Sequence, residues 1–181
     1  MQSFVLEGYP PDVPHEVHPE QYRSVGALFE ESFRRHADRP FSICMERWIR
    51  YGELDSLSRA MGAWLQSLDL EPGARVAIML PNVPQFAVAM CGILRAGYVC
   101  VNVNPLYTAR ELEHQLRDSG ATVIIILENF AATLEQVVDN TSCKARGHHI
   151  DGRSSRRNLR EVDYLRGSSS REAGSSIQAP P

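Results

Sequence analysis

Lysine is nearly absent from this chain: of 19 basic residues in 181, 18 are arginine and one, Lys144, is lysine. A phosphate-cradling G-x-x-x-x-G-K-[ST] loop therefore has no place in residues 1–143, where no lysine occurs. Long apolar runs are missing too. The two longest, 86–94 and 121–127, fall well short of the roughly 20 residues a membrane-spanning helix needs. The first residues, Met1-Gln-Ser-Phe-Val-Leu-Glu7, lack a basic start, a sustained apolar stretch and a small-residue cleavage site, so they do not read as a secretory signal. The four cysteines, Cys44, Cys91, Cys100 and Cys143, make no C-x-x-C pair. They read as reduced cytosolic thiols before a disulfide framework, and Cys91 and Cys100 as small apolar fillers. No G-x-G-x-x-G follows a strand-like run, and no G-x-S-x-G elbow offers a hydrolase nucleophile.

What is present describes a globular α/β body with an unlike tail. The chain is 43% apolar with a formal net charge of −3, ample for one hydrophobic core. That charge is uneven. Residues 1–140 hold 11 basic and 18 acidic groups, while 141–181 hold 8 and 4. The acidity of the body argues against nucleic acid as a partner. The tail, with eight Ser, seven Arg and four Gly and no apolar periodicity, reads at first as a basic disordered segment for an anionic partner.

Residues 1–23, with Pro10, Pro11, Pro14 and Pro19, read as an extended arm. Ser24 caps an apolar stripe at Val25, Leu28, Phe29 and Phe33, predicting a helix over 25–36. The runs 41–46 and 48–51 predict a hairpin, and Leu54, Leu57, Met61, Trp64, Leu65 and Leu68 mark one face of a long helix stopped by Glu71-Pro72-Gly73. Strands are predicted over 75–79, 98–103 and 122–127, and helices over 84–95, from Thr108 to Gly120, and over 130–138. Thr108-Ala-Arg-Glu111 is a capping box, Leu112 and Leu116 face inward, and helix packing and a C-cap account for Gly92 and Gly97. This alternation predicts right-handed crossovers and a parallel sheet covered on both faces.

Candidate chemistry is sparse. His15 and His18 flank Glu16 in a proline-rich setting that does not bring metal ligands together, and His148-His149 lie in the tail. His114 reads as a surface or partly packed histidine, and Glu111 and Glu113 as a cap and a solvated face rather than a carboxylate pair. No catalytic, cofactor-binding or metal-ligating residue is assigned.

Three strings nevertheless stand together: Ile49-Arg-Tyr-Gly-Glu-Leu54, Arg95-Ala-Gly97 with Asn102 five residues on, and Asn102-Val-Asn-Pro-Leu-Tyr-Thr-Ala-Arg-Glu-Leu-Glu-His-Gln-Leu-Arg-Asp-Ser-Gly120. The chain over about residues 5–140 resembles the adenylate-forming acyl-CoA synthetases, and within them the bacterial long-chain fatty-acid–CoA ligases. The resemblance implies an α/β fold, the incomplete N-terminal subdomain of the adenylate-forming enzyme: a mostly parallel sheet flanked by helices, with a disordered tail. It divides the chain into the arm 1–23, a partial N-terminal AMP-binding (adenylation) domain 24–140, and a non-family Ser/Arg-rich tail 141–181.

The reaction implied joins a fatty acid to ATP, giving an acyl-adenylate and pyrophosphate; coenzyme A then displaces AMP. ATP, Mg2+ and coenzyme A are the family's cofactors. None is expected to bind these residues well, because the family's Pro-Lys-Gly phosphate loop, its later motifs and its C-terminal lysine map to no residue here. A truncated ligase, inactive alone, is the expectation. It would be cytoplasmic, with peripheral contact at the inner face of the membrane in the full-length family; oligomeric state and chain-length preference stay open. Two alternatives remain: a non-catalytic α/β binding module with a basic tail, and a ligase fragment for a short-chain or aromatic acid.

The tail has a sharper reading beside that resemblance. Reverse-translated and read one nucleotide later, Ala145–Arg153 permits His-Val-Val-Ile-Thr-Ser-Met-Gly, the buried strand and Met-Gly that relatives carry here. Residues 141–181 are therefore expected to be out-of-frame sequence.

Overall fold

The computed structural model describes residues 18–44 and 46–143, together with Pro10, Val13 and Glu16. The tail 144–181, most of the arm 1–17 and the side chain of Arg47 lie outside the described residues, and with them the expectations for His15, His148 and His149.

A 3-10 turn at Pro19–Gln21 leads to helix α1, Val25–Arg35, whose first turn is closed by the Ser24 hydroxyl accepting from the Ala27 amide at 3.1 Å. Strands β1, Pro40–Cys44, and β2, Arg47–Arg50, pair antiparallel around Glu46, which sits in the left-handed region at φ 64°. The predicted hairpin is thus present, one to two residues shorter on its far side, because Tyr51 belongs to the next helix. That helix, α2, spans Tyr51–Gln66. Tyr51 and Gly52 are held there by backbone bonds to Arg39 and Ala37, at 3.1 and 2.9 Å.

The predicted face of α2 needs correction. Leu54, Met61 and Leu65 are buried, whereas Leu57 is 40% exposed. The row that faces inward is Leu54, Ser58, Met61, Gly62 and Leu65, so two small residues replace leucine where a neighbouring helix comes close. The helix also stops at Gln66, before the predicted Glu71-Pro72-Gly73, with the Ser67 hydroxyl donating to the Trp64 carbonyl at 2.6 Å.

Beyond it come β3 (Arg75–Met79), α3 (Pro84–Arg95), β4 (Val99–Asn102), α4 (Ala109–Ser119), β5 (Val123–Ile126) and α5 (Ala131–Glu135). Strand β4 is shorter than the predicted 98–103, although the Val103 amide still donates to Ile78 at 2.9 Å. The helix predicted over 130–138 is broken: 3-10 turns at Glu128–Phe130 and Val138–Asn140 flank a five-residue α5. The capping box at Thr108 is formed by both of its reciprocal bonds, and Gly120 closes α4 at φ 63° in the left-handed conformation that glycine enters without steric cost.

The three strands form a parallel sheet in the order β4-β3-β5, with Val76 opposite both Cys100 and Val123. Alternation along the strands divides the interior in two. Ala77, Met79, Ile124 and Ile126 pack with Leu112 and Leu116 of α4 and Leu134 of α5 on one face. Val76, Ile78, Val123 and Ile125 pack with Met61 and Leu65 of α2 and Ala89 and Ile93 of α3 on the other. The sheet is covered on both faces along β3 and β5, as their continuous apolar runs demand, while both ends of β4 are exposed.

Candidate functional site

A parallel sheet gathers its outgoing loops at the carboxyl ends of its strands, the usual ligand crevice of open α/β sheets. Here those loops are 80–83, 103–108 and 127–130. Two of their polar side chains, Asn104 and Thr108, are committed to local structure. Asn104 Oδ1 accepts from the Leu106 amide at 3.0 Å, an Asx turn, while the Asn102 carbonyl accepts from Gln115 Nε2 at 2.8 Å. The three loops contain no Lys or Arg and include Glu128. They do not fit a nucleoside triphosphate, whose charge would meet no cation there. Among the described residues no group of three or more His, Cys, Asp or Glu could hold a metal ion.

Polar side chains converge instead where α1, α2 and α3 meet. Arg95, at the end of α3, has a side chain only 12% exposed. Its Nε donates to Glu30 Oε1 at 2.8 Å, its Nη1 to the Asp55 carbonyl and the Ser58 hydroxyl at 2.7 and 2.6 Å, and its Nη2 pairs with Asp55 Oδ1. Ser58, fully buried, passes the chain on to the Leu54 carbonyl at 2.6 Å. Arg59 closes the outer side, 3.1 Å from both Glu30 and Asp55. The Arg95 guanidinium also lies 4.8 Å above the Phe33 ring. Burial pushes the Asp55 carboxyl up, but hydrogen bonds and charge from Arg95 and Arg59 outweigh it and hold the group below the usual carboxylate range. Each charge has opposite partners, so the cluster has the chemistry of a clamp between helices rather than of an acid or base.

Beside it, Phe33, Leu28, Phe29, Phe41, Tyr51 and Cys91 line an apolar hollow of about 220 Å³. Burial pushes the Cys91 thiol up to about 11, which leaves it neutral and a poor nucleophile at pH 7. Cys100 is raised by burial as well, and Cys143 is pushed up to about 12. All four cysteines are free.

The other singled-out residues fall as follows. His18 is exposed, its Nδ1 3.1 Å from Glu20 Oε1. His114 is exposed on α4. Glu111 accepts from the Thr108 amide and hydroxyl at 2.8 and 2.7 Å, bonds that lower its pKa, and Glu113 faces Arg117 at 3.5 Å. Gly92 sits in the α2–α3 contact, where a Cβ would lie 2.5 Å from Met61 Cγ, and Gly97 turns the chain at φ 83° after α3. Sequence reasoning missed the Arg95 clamp. Its visible traces were the i,i+4 spacing of Asp55 and Arg59 and the arginine that opens Arg95-Ala-Gly97.

Comparison with known proteins agrees with this architecture. The long-chain-fatty-acid–CoA ligase of Salmonella typhimurium (strain LT2) is 53% identical over 143 residues, covering 78% of this chain and 26% of its own length. The protein of the same name from Escherichia coli O6:H1 is 52% identical over the same shares. This chain thus spans about a quarter of the length of those relatives. In fold, it matches the crystal structure of the anthranilate CoA ligase AuaEII in complex with anthranoyl-AMP, with a TM-score of 0.65 at 21% identity over 68% of this chain and 24% of that one. The family described as AMP-binding enzyme matches residues 29–174, and this chain belongs to it.

Proposed function

We propose that residues 24–140 form the N-terminal scaffold of the adenylation domain of a long-chain fatty-acid–CoA ligase. The overall reaction would turn ATP, fatty acid and coenzyme A into acyl-CoA, AMP and pyrophosphate through an acyl-adenylate. The observation that carries this reading is the 53% identity to such a ligase over 143 residues. ATP, Mg2+ and coenzyme A would be held by residues outside those described, since the loops at the sheet's carboxyl end supply no cation. The 181 residues alone are inactive on this reading, because the only lysine is Lys144 and the Arg95 cluster is internally neutralised. The working enzyme is cytoplasmic and touches a membrane surface peripherally.

Two measurements test this. The purified chain should give no fatty-acid-dependent ATP–pyrophosphate exchange above background; robust exchange overturns the claim of inactivity. A chimera in which residues 1–143 replace the matching stretch of the Salmonella typhimurium relative should restore exchange with palmitate. Exchange with benzoate but not palmitate would favour an aromatic-acid ligase, and a well-folded chimera without exchange would favour a non-catalytic module.

The tail 141–181 is proposed to be out-of-frame. The family match runs on to residue 174, which counts against this reading, while the alignment to the Salmonella typhimurium relative spans 143 residues, and the nucleotide sequence decides between them. Resequencing that finds an intact downstream frame with no phosphate-loop coding sequence would sink the idea.

A further inference from the structure

We propose that the outer flank of β5 is a strand-acceptor site, and that it takes an extended apolar peptide of the sequence His-Val-Val-Ile-Thr. The choice of peptide rests on the out-of-frame reading above; the acceptor rests on the fold.

Topology fixes the flank from which the sheet grows. Helix α3 packs on the face of Val76 and Ile78 and carries the chain from β3 to β4. Helix α4 packs on the opposite face and carries it from β4 past β3 to β5. The two crossovers share one hand, so a crossover on the α4 face moves the chain in the direction from β4 to β5. Helix α5 lies on that same face, with Leu134 in the cluster of Leu112, Leu116, Ile124 and Ile126. The crossover it opens therefore sets its next strand beyond β5. Cys143, 6% exposed, still belongs to that cluster at the end of the described residues.

Hydrogen bonding points to the same flank. The Thr122 amide donates to the Arg75 carbonyl at 2.9 Å, so Ile124 and Ile126 also turn toward β3, and Val123 and Ile125 turn their amides and carbonyls outward. Val123 and Ile125 are 1% and 3% exposed, and their outward groups have no partner among the described residues. Buried backbone groups require partners, and an added strand supplies donors and acceptors at the matching spacing. The β4 flank differs, because its outward Asn102 carbonyl already accepts from Gln115 Nε2 at 2.8 Å.

Composition names the occupant. A strand added here extends a parallel sheet whose neighbouring strand is Val-Ile-Ile-Ile, so it needs β-branched residues on both faces. Lys144-Ala-Arg-Gly-His-His-Ile-Asp-Gly152, next in the chain, holds one β-branched residue and two glycines. His-Val-Val-Ile-Thr, permitted by the shifted frame, is β-branched at every position but the first.

The test titrates the full chain with a fluorescein-labelled His-Val-Val-Ile-Thr-Ser-Met-Gly peptide and follows amide hydrogen exchange at Val123 and Ile125. We expect saturable binding, with exchange at these two amides slowed by about tenfold or more. Two peptides N-methylated on alternate residues give the strand-specific readout. The one methylated on the edge toward β5 should bind at least about tenfold more weakly, and the other as the parent does. Equal effects of the two overturn strand addition. Absence of binding with both amides exchanging freely overturns the acceptor site. Absence of binding with both amides already protected overturns the peptide as occupant, in favour of residues 144–152 in a monomer or of a second copy in a dimer. The out-of-frame reading stands or falls separately, by the nucleotide sequence.

Discussion

Arg95 joins three helices through one side chain. It meets Glu30 of α1, Asp55 and Ser58 of α2 and the Phe33 ring while keeping only 12% of its side chain exposed. Replacing it by methionine keeps the stem and removes the cation, leaving two carboxylates turned toward one site. The Arg95→Met chain should lose about 2–3 kcal/mol in urea unfolding, the scale of charge-assisted bonds in a partly buried site. The pH dependence has a definite sign. The folded Asp55 carboxyl titrates below its ordinary value of 3.8, so its stabilisation is present above that pH and is lost as pH falls through the folded value. Wild type should therefore destabilise more steeply below about pH 4 than Asp55→Asn does. This clamp was hardly legible in the sequence. Its bonds span 65, 40 and 37 positions, and periodicity within a helix carries no information at that range. Arg95 stood out only as part of the Arg95-Ala-Gly97 string.

Elements were legible where local chemistry decides them. The capping box at Thr108, the left-handed Gly120, the cap at Ser24 and the start of α3 at Pro84 each act within one turn, and each was readable from spacing alone. Strand faces were readable as well, since Val76–Met79 and Val123–Ile126 divide their side chains between two cores with a period of two. The inward row of α2 was not, because small residues mark it as strongly as leucine does. Gly62 and Gly92 face each other across α2 and α3, and a Cβ on Gly92 would stand 2.5 and 2.7 Å from Met61 Cγ and Cβ and 3.2 Å from the Gly62 nitrogen. Met61 Cβ is anchored to its backbone and cannot swing aside, so the helices must separate. Gly92→Ala should cost about 1–3 kcal/mol despite alanine's higher helix propensity, read as a lowered urea midpoint at unchanged slope. The broken segment after β5 failed for the opposite reason. Its apolar residues fit a helix, yet Leu134 and Val137 reach the core through a short helix and flanking 3-10 turns.

At the scale of the molecule, the three-stranded sheet has β4 and β5 as its flanks, each paired on one side among the described residues. Val99 on β4 is 47% exposed, and Leu106, in the loop after it, is 83% exposed. An open flank with apolar side chains invites pairing with another chain. The purified protein should associate with rising concentration, and Val99→Lys should shift its sedimentation toward monomer, since lysine on an edge opposes strand addition. The parallel architecture behind this was legible from the alternation of strands and helices. A reactive centre was not: among the described residues the Cys91 thiol is buried and the Arg95 cluster is mutually satisfied, so these polar groups serve cohesion. The order β4-β3-β5 carries a further consequence, for synthesis. The strand made first takes the central place, and both of its partners come later, the second only at Val123–Ile126. At ribosomal rates of about 5–20 residues per second, Val-Ala-Ile-Met therefore leaves the exit tunnel seconds before its last neighbour exists. For that interval the future centre of the sheet waits without its second partner.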